Sequence, residues 1–299
     1  MDIALATCAA LPDWEKDDLP LHSALRALGV RLHQPVWDDP KVDWTQFDGV
    51  LIRTTWDYAE KREAFVAWAQ QVGDRLLNPP KVVQWNTHKS YLRALAKEKV
   101  PTIPTIWLDR YQDLHLAFIW PGWDRGFIKP QVGASASGTL RFDGSELESA
   151  EKALRDALRR DDMMLQPYLS QVETRGELSA IYIDGAFSHA VRKVPVAGDY
   201  RVQDDHGASD YAHTLTPEEL VLCQQVMDAA ARVLDLEQPL LYARVDLLAD
   251  DKDKLLLTEL ELVEPSLFFR HGPKAANKLA KALVARVRAF DEATPEALG

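Results

Sequence analysis

Apolar residues fall in short runs separated by amphipathic stretches, the pattern of alternating strands and helices. Residues 2–8 read as a buried strand inside the run from Ile3 to Leu11. The stretch from Trp14 to Leu28 has helical spacing and stops at Gly29. Val30 to Val36 and Phe47 to Arg53 read as further strands, and Lys61 to Val72 as a helix. This alternation predicts a small parallel sheet, with ligands beyond the carboxyl ends of its strands. Thr7-Cys8 and Arg53-Thr54-Thr55-Trp56-Asp57-Tyr58 occupy those ends. Arg53, free to fork onto a carboxylate, would suit a small polar substrate beside Thr7, Thr54, Thr55 and Asp57. The same loop also reads as a core plug built on Trp56.

Asn78-Pro79-Pro80 marks a boundary, because tandem prolines exclude helix and pin an extended turn. A second unit follows with a helix from Lys89 to Lys99 and a short strand from Thr105 to Leu108. It continues with the strand Gly126 to Lys129, a Gly/Ser loop, the strand Thr139 to Phe142 and a helix from Glu146 to Arg159. Met163 to Leu169 is a strand broken at Pro167. Beyond it come strands Leu178 to Ile183 and Ala186 to Val194, a helix from Glu218 to Leu234, two further strands and a last helix from Pro273 to Phe290. Three α/β parts result: 1–80, 81–164 and 165–299.

The chain has 299 residues, 46% of them hydrophobic, enough for a large core. A net charge of −11 argues against sequence-independent nucleic-acid binding and against an anionic membrane surface. The first apolar run lacks a basic segment before it, and no run approaches a membrane span. Cys8 and Cys223 stand far apart, with no disulfide framework or zinc spacing. The expectation is a soluble, reduced, cytoplasmic protein.

Candidate chemistry concentrates near the C-terminus. Tyr242-Ala243-Arg244-Val245-Asp246 and Thr258-Glu259-Leu260-Glu261 read as two strands of a hairpin. Side chains alternate along a strand, so Glu259 and Glu261 share a face, and a suitable register brings Asp246 beside them. Buried carboxylates repel one another unless a cation sits among them, and an all-oxygen set suits Mg²⁺ with substrate phosphates. A solvated acidic strand edge is the alternative. Lys129 closes an apolar strand, and the loop Gln131 to Thr139 can offer backbone N–H groups and the hydroxyls of Ser135 and Ser137 to phosphates; a flexible hairpin is again the plainer reading. The break at Pro167 frees main-chain groups for an adenine edge near Gln166, with Leu165, Tyr168 and Leu169 as apolar walls and Glu173 in reach of a ribose.

The order of these pieces resembles the ATP-grasp fold. It is carried by Lys89 opening a helix after Asn86-Thr87-His88, Ile128-Lys129-Pro130, the Gly/Ser loop, Gln166-Pro167-Tyr168-Leu169 with Glu173, and the closing Arg244-Val245-Asp246 and Glu259-Leu260-Glu261. The likeness is strongest to glutathione synthetase, ribosomal-protein glutamate ligases and D-alanine–D-alanine ligase. It implies three α/β subdomains with ATP held between the central and C-terminal ones. It further implies that Lys89 and Lys129 hold phosphates, that the main chain of Gln166 to Leu169 holds adenine and Glu173 ribose, and that Asp246, Glu259 and Glu261 hold two Mg²⁺. Lys193-Val194-Pro195 with Arg201 resembles the glutathione-synthetase-like segment in which Lys193 would face the transferring phosphate and Arg201 the acyl phosphate or the substrate carboxylate. Read as residues alone, they are two surface cations. Ser266 joins the implied substrate contacts, and His189 and His206, which flank this segment, are the only histidines that read as active-site candidates.

Such enzymes phosphorylate a carboxylate and let a nucleophile displace the phosphate. Ala6 to Pro12, Arg53 to Tyr58 and Trp85 to Lys89 are similar to a group of stand-alone ATP-grasp proteins that holds cycloserine-forming ligases. That implies a small amino-acid-like substrate, O-ureido-D-serine, cyclised by its own aminooxy nitrogen, and a homodimer is the expected assembly. An intermolecular amino-acid or peptide ligase and a non-catalytic nucleotide sensor are the alternatives.

Overall fold

The computed structural model describes residues 1–11, 15–111, 115–133, 136–203 and 206–293. The first sheet is parallel, in the order β2-β1-β3-β4, from β1 (Asp2–Thr7), β2 (Arg31–His33), β3 (Gly49–Thr54) and β4 (Leu76–Leu77). Its first helix starts at Leu19, later than the sequence pattern suggests, because Pro20 is accommodated only in a first turn; Trp14 lies outside the described residues. The helix ends before Gly29, whose φ of +79° favours glycine.

The expectation that Pro79-Pro80 exclude helix is corrected. Pro79 caps and Pro80 opens a helix, Pro80–Asn86, where a missing N–H costs nothing. Lys89 consequently sits in the connection between that helix and Tyr91–Lys97, rather than opening a helix. Although both helices precede the central sheet in sequence, Val82, Tyr91, Leu92 and Leu95 pack into the core of the C-terminal sheet.

The central sheet is antiparallel, β5-β8-β6-β7, built from β5 (Ile106–Leu108), β6 (Arg125–Pro130), β7 (Leu140–Asp143) and β8 (Met163–Pro167). β8 runs across the junction of residues 164 and 165. The helix Leu147–Leu158 covers this sheet with Ala150, Leu154 and Leu158, one face at i, i+4, i+8.

The third sheet, β11-β10-β9-β12-β13, is antiparallel: β9 (Glu177–Ile183), β10 (Ala186–Val194), β11 (Ser209–His213), β12 (Tyr242–Ala249) and β13 (Leu255–Glu261). Gly176 precedes β9 at φ +70°, and a Cβ there would lie 2.2 Å from the Lys193 carbonyl, so only glycine lets β9 and β10 approach at this end. The helix Pro217–Leu234 begins with a capping box between Thr216 and Glu219. The last helix, Ala275–Ala293, packs Leu279 and Leu283 into one core with Ile3, Leu21, Ile181 and Tyr242, joining the N-terminal sheet to the C-terminal one. No helix among the described residues is long and apolar enough to cross a membrane.

Candidate active site

The hairpin register sets Asp246 directly opposite Glu259 and Arg244 opposite Glu261. Alternation then points all four side chains to one sheet face. They line a cleft of about 260 Å³ bordered by the central and C-terminal sheets and by the segments that follow β1 and β3. Each acid is drawn to a cation. Lys89 Nζ lies 2.8 Å and Lys129 Nζ 3.5 Å from Glu259 Oε1. Arg244 binds Asp246 through Nη2 at 2.9 Å and also pairs with Glu261. Lys193 pairs with Glu177 and stands 3.8 Å from Asp246, which also accepts from Ser179 Oγ. Among the described residues no three acids, histidines or cysteines converge as a ready-made metal cluster.

Electrostatics separates these groups. Burial opposes ionisation of Glu259, but Lys89 and Lys129 outweigh it and hold the carboxyl well below its usual range. Burial, with repulsion from Asp246 and Glu259, raises Glu261 despite Arg244. The two lysines share one carboxylate unequally. Burial works against the charge of Lys89, yet the closer Glu259 raises its pKa, whereas burial and Lys89 lower that of Lys129. Lys129 is thus a buried cation with incomplete compensation, a property that favours an anionic ligand.

On the nucleotide side, Ser137, Gln166, Tyr168 and Leu169 face the cleft with Phe127 and Tyr200. Gln166 Nε2 donates to Thr105 Oγ1 at 2.8 Å, and Thr139 and Tyr200 hydroxyls, 2.8 Å apart, tie the phosphate-loop end to the loop after β10. Ser135 lies outside the described residues. Glu173 is not among the cleft-lining residues: Tyr168 OH donates to its Oε1 at 2.6 Å and Arg141 Nη1 at 3.0 Å, so one oxygen is engaged from behind the aromatic wall. Arg201 reaches the cleft while paired with Asp199 at 2.7 Å.

The substrate side differs from the sequence expectation. Arg53 is not free: it is 2% exposed and its fork is closed on Asp18 by two bonds of 2.9 Å, with a third to Pro265 O at 3.0 Å. Thr7 and Thr54 are buried against each other, Oγ1 to Oγ1 at 2.7 Å, and Thr55 is buried. Asp57 accepts from Trp37 Nε1 at 2.8 Å. None of these five lines the cleft, and the first sheet instead sends Glu15, Asp17, Trp56 and Tyr58 into it. Ser266 does line it.

The reason lies in the segment after β13. Each carbonyl from Leu262 to Phe268 accepts a side-chain hydrogen bond, in order from Asn78, Tyr242, Trp56, Arg53, Arg244 and, for the last two, His189. A chain that leaves its sheet must satisfy these acceptors elsewhere, and donors from distant segments do so here. His189 is therefore a structural donor through Nε2, while His206 borders a separate shallow pocket beside Arg201. Sequence reasoning passed over Arg244 and Glu264 as functional residues. Arg244 had a legible signal, two residues before Asp246 on the same strand face. Glu264 had only its spacing, three residues after Glu261; burial and Glu261 push its carboxyl up to about 8 against Lys89 and Tyr58.

Residues 3–78 match the family model of the D-cycloserine synthetase DcsG N-terminal domain, and residues 123–266 that of the prokaryotic glutathione synthetase ATP-grasp domain. The cycloserine biosynthesis protein DcsG of Streptomyces lavendulae is 30% identical over 295 residues, 96% of this chain and 99% of that protein. The glutathione synthetase of Ralstonia nicotianae is 26% identical over 240 residues, 77% of this chain and 68% of that protein. The crystal structure of D-cycloserine synthetase DcsG superposes with a TM-score of 0.88 at 29% identity, covering 96% of this chain and all (100%) of that one. D-alanine–D-alanine ligase from Bacillus anthracis complexed with ATP shares the fold, with a TM-score of 0.69 at 16% identity over 98% of this chain and 100% of that one. With its two lysines and its acidic hairpin gathered on one cleft, this chain belongs to the ATP-grasp ligases, in the family of D-cycloserine synthetase DcsG.

Proposed function

We propose that the enzyme uses ATP to convert the carboxylate of O-ureido-D-serine into an acyl phosphate, which the substrate's own aminooxy nitrogen displaces to close the D-cycloserine ring, while hydrolysis by water removes the carbamoyl group as carbamate. The observation that supports this most is the convergence of Lys89, Lys129, Asp246 and Glu259 on one cleft, cations and acids alternating where a nucleoside triphosphate needs both. Phosphoryl transfer asks little covalent chemistry of the protein; it asks for positioned charge.

In this reading Lys89 and Lys129 bind phosphate oxygens with Ser135, Ser137 and the loop backbone. The main chain of Gln166 to Leu169 takes the adenine edge, and the outer oxygen of Glu173 the ribose. Lys193 faces the transferring phosphate, and Arg201 and Arg244 the acyl phosphate, with Ser266 at the substrate end. The hard oxygen donors of Asp246, Glu259 and Glu261, with Glu261 held up by repulsion, fit Mg²⁺ and are assigned two ions. Bound there, the metal neutralises charge on the phosphate oxygens.

Lys89→Ala and Lys129→Ala are each expected to weaken binding of a non-hydrolysable ATP analogue by about 1.5–3 kcal/mol, the worth of a charge-assisted hydrogen bond. Calorimetric titration measures it, and unchanged affinity in both would remove the phosphate assignment. The overall reaction is tested by mass spectrometry of products from ATP, Mg²⁺ and O-ureido-D-serine, beside reactions with pairs of amino acids. A cyclic product that needs no second amino acid is expected, since holding the internal nucleophile near the acyl carbon supplies the orientation. Turnover only with two different amino acids would replace this reading with an intermolecular ligase.

A further inference from the structure

Of the acids at the hairpin end of the cleft, Glu264 stands apart. Asp246, Glu259, Glu261 and Glu177 each pair with a lysine or arginine, whereas Glu264 forms no ion pair among the described residues. Its neighbours in the chain are fixed, because the carbonyls of Val263, Glu264 and Pro265 are held by Tyr242, Trp56 and Arg53. Tyr58, 5% exposed, lines the same cleft from the N-terminal side. Glu264 thus lines the cleft from a clamped backbone, as do Glu261 and Ser266. In its ionised form an acid so placed repels carboxylate and phosphate and accepts from N–H donors.

We infer that Glu264 receives the nitrogen nucleophile of the substrate and accepts its proton as the C–N bond forms. This rests on the acyl-phosphate reading above. The nitrogen lone pair attacks the acyl carbon, the bond from that carbon to the phosphate oxygen breaks, phosphate leaves with the electron pair, and the proton shed by nitrogen passes to the Glu264 carboxylate. Glu261, Lys89 and Tyr58 line the same cleft and act electrostatically on that carboxylate.

The test separates activation of the carboxylate from closure of the C–N bond. Wild type and Glu264→Gln are incubated with ATP, Mg²⁺ and O-ureido-D-serine, with and without hydroxylamine, which intercepts an acyl phosphate as a hydroxamate. Glu264→Gln is expected to form hydroxamate within roughly 3-fold of wild type while its cyclic product falls roughly 100-fold, the usual range for losing a positioned base. Glu264→Asp should recover part of the product. ATP-analogue binding by the Gln variant establishes that it is folded; should it bind none, Glu264→Asp and Tyr58→Phe carry the same comparison. A wild-type rate of cyclic product in Glu264→Gln overturns the inference alone, as does an equal loss of hydroxamate and product. Absence of hydroxamate in the wild type overturns the acyl-phosphate reading and this inference together.

Discussion

Glu259→Gln is expected to lower ADP formation by at least about 100-fold, the scale on which removal of one electrostatic partner of a transition state acts. Glu259 sits opposite Asp246 in the hairpin and against both Lys89 and Lys129, so one neutral amide there changes three interactions at once. It removes an oxygen donor of the proposed Mg²⁺ set, and it releases two buried ammonium groups from their shared carboxylate. The second effect partly offsets the first for binding, because the freed lysines attract phosphate more strongly. Affinity for an ATP analogue is therefore expected to change far less than turnover. A coupled ADP-release assay, with circular dichroism to verify the fold, measures the split. Turnover at the wild-type rate would remove Glu259 from the metal and phosphate machinery.

Arg53→Ala is expected to act on stability rather than on substrate affinity. The guanidinium is buried, its fork closed on the equally buried Asp18, and it also holds the Pro265 carbonyl. Deleting one partner leaves an uncompensated buried carboxylate, a loss of about 3–5 kcal/mol. For a chain of this size that corresponds to a melting temperature lower by roughly 5–8 °C. Calorimetry and steady-state kinetics on the same sample decide the matter. An unchanged melting temperature with a raised KM would restore Arg53 to the substrate and refute its role as a clamp.

The two arginines show where sequence reading succeeds and where it stops. Arg244, Asp246, Glu259 and Glu261 are related by a two-residue alternation along strands, a purely local property, so their shared face was legible once the hairpin was recognised. The strands around Lys129 and the helix from Leu147 to Leu158 were legible for the same reason, as was the ATP-grasp resemblance carried by their order. The edge strand Ser209–His213 was not, because its Ser-Asp-Tyr-Ala-His sequence is mostly exposed and carries no apolar alternation. Nor was the helix at Pro80, since a proline signals a break in mid-helix and a start at the first turn, and only the surrounding packing tells which.

By itself, then, the sequence determined the alternation of elements, the acidic hairpin with its two lysines, and the family to which their order belongs. Only the tertiary structure decided which cations were already taken. Arg53 meets Asp18, thirty-five residues earlier, and the carbonyls from Leu262 to Phe268 are held by donors as distant as Arg53 and His189. Periodicity follows from covalent neighbours, but the partner of a charge follows from distances across the fold, and a buried charge takes the nearest group that compensates its lost water. That is why Arg53 and its neighbours left the substrate side, and why Glu264 lines the cleft there without an ion pair among the described residues.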